Sequence, residues 1–341
     1  MAEMGHARIR GRVVVNSSIA WFSPDPPSIQ HQPLGLLRAL LVRVNILIAT
    51  DGSAEASTAL RTAARVLGPD YRDFTLLCVA PSYPKLRRGG RQRQEYERRI
   101  LSEITQILAD AKADLGDNAR CASLMTEIGS PASVIVAKAE DYDLTVIGPK
   151  GRGATPGEQG LGPVASRVAE HSRAPVLIAR ELRNESGLRV LVAVDGSIAS
   201  MRAIETLRSL FDLSGADVCL MHVTETPWVH LGLNEDWETY DDEEKEQTEA
   251  GAFEKELVRE GETVLERARE LLHVNRAVVS TITDEGDPAD LILSEAERGQ
   301  YDLVVIGATG TRDLKHAMLG SVSAKVAWNA PCSVLMVREP D

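Results

Sequence analysis

Short apolar runs rich in Val, Ile and Leu alternate along most of this chain with longer stretches whose apolar residues recur every three to four positions. The first pattern is that of a strand buried on both faces, the second that of a helix with one buried face. From Asn45 the spacing predicts a strand to Thr50, a helix from Ala54 to Leu67, a strand from Phe74 to Ala80 and a long polar helix from Gln92 to Leu115. A strand near Cys121 to Glu127, a helix from Pro131, a strand from Leu144 to Gly148, a helix from Val164 to Ser172 and a strand from Val176 to Ala179 complete the unit. The series then restarts as Arg189 to Val194, Ile198 to Leu210, Asp217 to Val223, an acidic helix to about His273, Ala277 to Thr283, Pro288 to Arg298, Leu303 to Gly307, Val322 to Asn329 and Val334 to Val337. Strands alternating with helices imply parallel sheets joined by right-handed crossovers.

The two series are copies of one unit. Ala49-Thr50-Asp51-Gly52-Ser53 returns as Ala193-Val194-Asp195-Gly196-Ser197, and Asp143-Leu144-Thr145-Val146-Ile147-Gly148 returns as Asp302-Leu303-Val304-Val305-Ile306-Gly307. The chain divides accordingly into domains at 44–183 and 188–341, each long enough to bury its own core. The offset between copies is 144 from Asp51 to Asp195 but 157 from Gly129 to Gly286, so the second copy carries an insertion after its second strand. The acidic stretch Glu235 to Glu262 sits there, flanked by Trp228 and Trp237. It reads as a solvated helix face, or as a lid or partner-docking element beside a site. Residues 1–43 stand outside the repeat and are expected to be a disordered N-terminal extension or the product of an upstream start codon. A targeting peptide is disfavoured, because a continuous apolar core and a small-residue cleavage site are both missing.

Composition narrows the class. Of 341 residues, 43% are hydrophobic and only 4% aromatic, the diet of aliphatic parallel-sheet cores. The net charge of −12 is concentrated in the second copy, where residues 188–341 carry 14 basic and 30 acidic groups, against 19 and 18 in residues 44–187. Such a surface repels phosphodiester backbones, which argues against nucleic-acid binding. Cys78, Cys121, Cys219 and Cys332 show no paired short spacing and are expected to be packed thiols in a reducing compartment. With no apolar stretch of membrane-spanning length, the expected location is cytoplasmic, without membrane partners.

In an open parallel sheet, ligands sit beyond the carboxyl ends of the strands. The Asp195 turn and the loop after Gly307 both belong there. Gly307 and Gly310 would let the backbone approach a ligand closely. After nine further residues, Gly320-Ser321-Val322-Ser323 opens a helix whose free amides and dipole suit phosphate, with the Ser321 and Ser323 hydroxyls as further donors. Arg312, Lys315 and His316 lie on the intervening loop as cationic donors. Strand-end glycines and a helix-capping serine are also ordinary architecture, but the complete pattern facing an Asp-Gly-Ser turn favours phosphate or nucleotide binding. His222 reads as a satisfied core histidine rather than a catalytic base.

With these motifs the two copies resemble the universal stress protein family, whose nucleotide-binding members carry Gly-x-x-Gly, nine residues and Gly-Ser/Thr before the last helix. Each copy also matches the family's Asp at the first strand end, its Gly-x-Pro (Gly129 with Pro131, Gly286 with Pro288) and its final Val-Leu-x-x-Arg strand (Val176 to Arg180, Val334 to Arg338). The resemblance implies two five-stranded doubly wound parallel α/β sheets of order 3-2-1-4-5, adenine nucleotide alpha hydrolase-like, paired through their last strands as an intrachain pseudo-dimer. It implies that Asp195 lies beside the nucleoside and phosphates and that the Val223 backbone reads the adenine edge. Ile306 and Gly307 would line the pocket, while Gly310, Gly320, Ser321, Val322 and Ser323 would hold the phosphates. The implied ligand is ATP, with Mg2+ admissible beside it. A homodimer of chains and an unidentified protein partner stay open.

The first copy departs from the pattern. Ten residues separate Gly151 from Gly162, Pro163 replaces Ser321, and Ala165 replaces Ser323. Proline removes an amide as well as a hydroxyl, so this copy is expected to bind ATP weakly or not at all. The chain lacks a Gly-x-x-x-x-Gly-Lys-Ser/Thr loop, a Gly-x-Gly-x-x-Gly fingerprint, a Gly-x-Ser-x-Gly elbow and a His-Glu-x-x-His motif. No catalytic or metal-ligating residue is indicated. The expected function is regulatory ATP binding in a stress response, with hydrolysis at most slow. The alternatives are a nucleotide-independent interaction module using residues 235–262 and, more weakly, an enzyme that hydrolyses ATP or transfers an adenylyl group.

Overall fold

The computed structural model describes residues 44–68, 72–81, 90–154, 160–184, 187–224, 249–273, 277–310 and 319–339. Residues 1–43, Trp228, Trp237, the acidic stretch before residue 249 and the loop cations Arg312, Lys315 and His316 lie outside them.

The first unit runs β1 (Val44–Ala49), α1 (Ala54–Val66), β2 (Arg72–Ala80), α2 (Gly90–Asp114), β3 (Ala122–Ile128), α3 (Pro131–Ala139), β4 (Leu144–Ile147), α4 (Pro163–His171) and β5 (Val176–Ile178). The second runs β6 (Arg189–Ala193), α5 (Ile198–Leu210), β7 (Asp217–Thr224), α6 (Glu249–Leu272), β8 (Val278–Glu285), α7 (Pro288–Arg298), β9 (Leu303–Gly307), α8 (Ser321–Asn329) and β10 (Ser333–Val337). Local chemistry sets the helix starts. Ser53 Oγ accepts from Ala56 N–H at 3.2 Å and Ser197 Oγ from Ser200 N–H at 3.1 Å, caps worth about 1 kcal/mol each. Proline opens α3, α4 and α7, where its fixed φ and missing N–H cost nothing.

The strands form one sheet, β3-β2-β1-β4-β5-β10-β9-β6-β7-β8, so each unit has the order 3-2-1-4-5 expected of it. Pairing within each unit is parallel. At the centre β5 and β10 pair antiparallel, with Val334 opposite Ile178, Leu335 opposite Leu177 and Met336 opposite Val176. This seam removes two apolar edges that would otherwise invite aggregation. Buried residues fall into one cluster on each face of the joined sheet, and both clusters draw on both units.

The seam explains the arginine that ends each repeat. Arg180 crosses to the second unit, where its guanidinium donates to Ala327 O (3.2 Å) at the end of α8 and to Cys332 O (2.9 Å) just before β10. Arg338 crosses the other way and donates to Ala169 O (3.3 Å) and Glu170 O at the end of α4. Each arginine thus satisfies carbonyls that the partner unit's last helix leaves open, at its negative dipole end. On the neighbouring face Leu67 and Phe211, equivalent positions of the two units, meet in an antiparallel bridge.

The repeated aspartate before each fourth strand is also structural. Asp143 accepts from Asn45 N–H at 2.8 Å. Its counterpart Asp302 is fully buried and accepts from the backbone N–H groups of Arg183, Asn184 and Arg189 at 2.8, 2.9 and 2.9 Å. Arg183 and Asn184, at the end of the first unit, are therefore tied to the second one. No helix among the described residues is long and apolar enough to cross a membrane.

Candidate functional site

The parallel order carries the ends of β6 and β9 to one edge, because both strands run the same way and lie side by side. Beyond β6 the Asp195 turn needs Gly196 at φ +80°, a left-handed conformation open to glycine at little cost. Asp195 Oδ1 closes that turn by accepting from Ser197 N–H (3.0 Å) and Ser197 Oγ–H (2.6 Å). Its other oxygen faces Gly310, where an added β-carbon would sit 3.1 Å from Oδ2. Across this gap α8 begins at Gly320, and no side chain caps it. The same holds for α3 and for α4, which begins at Gly162, whereas α1, α5 and α7 are each capped by a serine or aspartate side chain.

These parts enclose a cavity of about 490 Å³. All nine sequence-predicted residues, Asp195, Val223, Ile306, Gly307, Gly310, Gly320, Ser321, Val322 and Ser323, line it. Met221, Pro288 and Ile292 add apolar wall, and Leu257, Glu260 and Val264 close one side from α6. The cavity thus has an apolar end, between β7 and α7, and a polar end at the Asp195 turn and the start of α8.

Three details differ from the reading of the motif. The close approach that requires Gly307 is to α5, since a β-carbon there would lie 2.8 Å from Ser200 N and 3.0 Å from Ala199 C. Ser323 is buried and its hydroxyl lies 2.8 Å from Ala308 O and 2.9 Å from Gly320 O; it ties the strand end to the helix start, leaving Ser321 as the exposed hydroxyl. His222 has its Nδ1 2.8 Å from Val194 O, which fits the satisfied histidine expected, yet the ring also lines the cavity. It packs on α6 at Gly261, where a β-carbon would come within 2.7 Å of His222 Cδ2. A signal for this pairing was present in the repeat: the first unit has Cys78 and Ile104 where the second has His222 and Gly261.

The first unit retains a cavity of about 480 Å³ in the equivalent place. Ala49, Asp51, Leu77, Val79, Pro131, Ile135, Ile147 and Gly148 line it as their counterparts line the other. Its polar end is different. Arg152 N–H donates to Asp51 Oδ2 at 2.7 Å, and the guanidinium is bound to Glu103 Oε1 of α2 at 2.7 Å. Position 152 corresponds to Thr311, so the second unit has no arginine there. Pro163 replaces the first helical amide of α4.

Two successive segments, 44–180 and 188–338, match the family model for universal stress proteins. The chain belongs to the universal stress protein family. A universal stress protein of Mycolicibacterium smegmatis is 28% identical over 309 residues, spanning 86% of this chain and 96% of its own. The universal stress protein YxiE of Bacillus subtilis is 33% identical over 154 residues, which is 44% of this chain and 98% of the relative. In fold, a universal stress protein of Archaeoglobus fulgidus covers 86% of this chain and 98% of its own at 20% identity, with a TM-score of 0.56. The tandem universal stress protein domains are therefore this chain's architecture, and its two cavities occupy equivalent positions in them.

Proposed function

We propose that this universal stress protein is an ATP-binding regulator of a stress response, with the second unit holding the nucleotide as a conformational ligand or slowly turned-over substrate. The supporting observation is the convergence of three features on the cavity of about 490 Å³: the Asp195 turn, Gly310 set against its carboxylate, and a glycine-capped helix start. Amides at a helix N-terminus favour anions through both their unpaired N–H groups and the helix dipole. The apolar end, walled by Met221, Val223, Ile292 and Ile306, suits a planar ring. Mg2+ would arrive with the phosphates, since that ion takes one or two carboxylates plus phosphate oxygens. Asp195 and Glu260 are the carboxylates in the lining.

In the first unit Pro163 removes the leading amide of α4 and the hydroxyl that Ser321 supplies in the second, and Arg152 is paired with Glu103, while Lys150 also lines the cavity. One adenine nucleotide per chain is the expected stoichiometry. The test is to denature the purified protein, identify released nucleotide by mass spectrometry, and repeat the measurement with Gly320→Val. Gly320 has φ −63°, so valine there acts by filling the cradle and not by straining the backbone. Near one nucleotide per chain, lost in the variant, supports the reading. Two per chain overturns the asymmetry, and none, with no binding of added ATP, overturns the function.

A further inference from the structure

The joined sheet ends in two edges that differ in chemistry. Among the described residues β3 pairs only with β2, and β8 only with β7. On β3, Leu124 is 46% exposed and Ile128 55%. They share a face with Ala122 and Thr126, because side chains alternate along a strand. Glu127, the one charged residue of the strand, is on the other face and pairs with Lys138 at 2.8 Å. Lys112 of α2 donates to Ala122 O at 3.0 Å, and Leu101 lies three turns earlier on the same stripe of that helix, about 16 Å back along its axis. The helix of a right-handed crossover runs against its strands, so this distance carries Leu101, itself exposed, toward the Ile128 end of β3. Leu101, Leu124 and Ile128 therefore border one open edge.

The second unit shows that the fold does not require this. Its equivalents of Leu124, Thr126 and Ile128 are Thr281, Thr283 and Glu285, and a charged side chain on an edge is one way in which edge strands are kept from pairing. Val278, exposed at the start of β8, lies on the opposite face with Ile282. Backbone geometry on β3 supplies the pairing groups. Gly129 N–H donates to Ala80 O at the end of β2, so by alternation Leu124, Thr126 and Ile128 point their N–H and C=O groups away from β2. A second β3, placed antiparallel by a two-fold axis through Thr126, sets Leu124 opposite Ile128 of the other copy and meets each of these outward groups with its complement. We propose that the β3 edge is a docking surface for a second copy of this chain, joined by antiparallel β3–β3 pairing. Charge selects this occupant. Residues 44–187 carry 19 basic and 18 acidic groups, so two first units meet without net repulsion, while the second units, with 14 basic and 30 acidic groups each, are held at the outer ends. The same mode of pairing already joins β5 to β10 within the chain.

The test is analytical sedimentation of the full chain across the micromolar range, as wild type, Leu124→Thr with Ile128→Glu, and Val278→Thr, together with amide hydrogen exchange of the wild type. The double variant copies the residues that β8 carries in the second unit, and an unchanged circular-dichroism spectrum checks its fold. The expected result is a wild-type dimer that Val278→Thr retains and the double variant weakens at least about tenfold, since the two-fold repeats the lost Leu124 to Ile128 contact on both sides of its axis. Exchange at Leu124, Thr126 and Ile128 should slow as the wild type dimerises. A wild type that stays monomeric, or a dimer that the double variant retains, overturns the proposal. A wild-type dimer whose β3 amides exchange as fast as in the monomer overturns it independently of any variant. Protection of those amides in a monomer assigns the edge to another segment of this chain, and loss of the dimer in Val278→Thr moves the contact to β8; either result also overturns the proposal.

Discussion

Gly261→Ala is the sharpest probe of how the second cavity is built, because two opposing effects of known size meet at one atom. Residue 261 lies inside α6, where alanine is more favourable than glycine by about 1 kcal/mol. The added β-carbon would lie 2.7 Å from His222 Cδ2, and the ring is anchored by Nδ1 at 2.8 Å from Val194 O. Overpacking of this kind costs roughly 1 to 3 kcal/mol, so the wild-type background should lose about 1 kcal/mol overall. In a His222→Cys background, which copies Cys78 of the first unit, the overlap disappears and the same substitution should stabilise by about 1 kcal/mol. The sign therefore reverses, with a coupling of about 2 kcal/mol measurable by urea unfolding of the four proteins as a double-mutant cycle. The same clash drives the imidazole toward the cavity, so Gly261→Ala should also weaken ATP binding. Stabilisation of the wild type by Gly261→Ala, or a coupling below about 0.5 kcal/mol, would refute the packing described for this wall.

Two further outcomes follow from the seam and from the thiols. Burial lowers the pKa of both the Arg180 and the Arg338 guanidinium, which works against the buried charge, so the hydrogen bonds carry their contribution to stability; Arg180→Ala, which strands the carbonyls of Cys332 and Ala327, should cost roughly 2 to 4 kcal/mol in urea unfolding, and a loss below about 0.5 kcal/mol would contradict this. Burial raises the Cys78 thiol to about 11 and the Cys332 thiol to about 12, Cys219 is also buried, and Cys121 is exposed. A disulfide reagent at pH 8 should therefore label one thiol per native chain and four after denaturation, since only the thiolate reacts; rapid labelling of two or more native thiols would count against the buried assignments.

Much of this molecule was legible before its fold. The helices Ile198–Leu210 and Pro288–Arg298 and the strand Leu303–Gly307 lie where apolar spacing, caps and prolines place them, because these signals act within a few residues of chain. The gathering of Asp195, Val223 and Gly310 around one cavity was also accessible, since a parallel sheet must bring alternate strand ends to the same edge. That the edges of the two units pair was implied by family resemblance; its antiparallel register at Val334 and Ile178 is a property of the assembled sheet.

What the chain itself determined is the list of elements, their duplication and the residues at the strand ends. Tertiary structure alone decided what those residues touch. The need for glycine at 307 comes from α5, the Ser323 hydroxyl is taken by the backbone, Arg152 is bound to a glutamate 49 positions earlier, and Trp328 reaches a cavity belonging to the other unit. Periodicity and motifs report local preference and strand order, whereas these contacts depend on side chains from distant elements meeting at ångström separations, and no spacing along the chain encodes such distances.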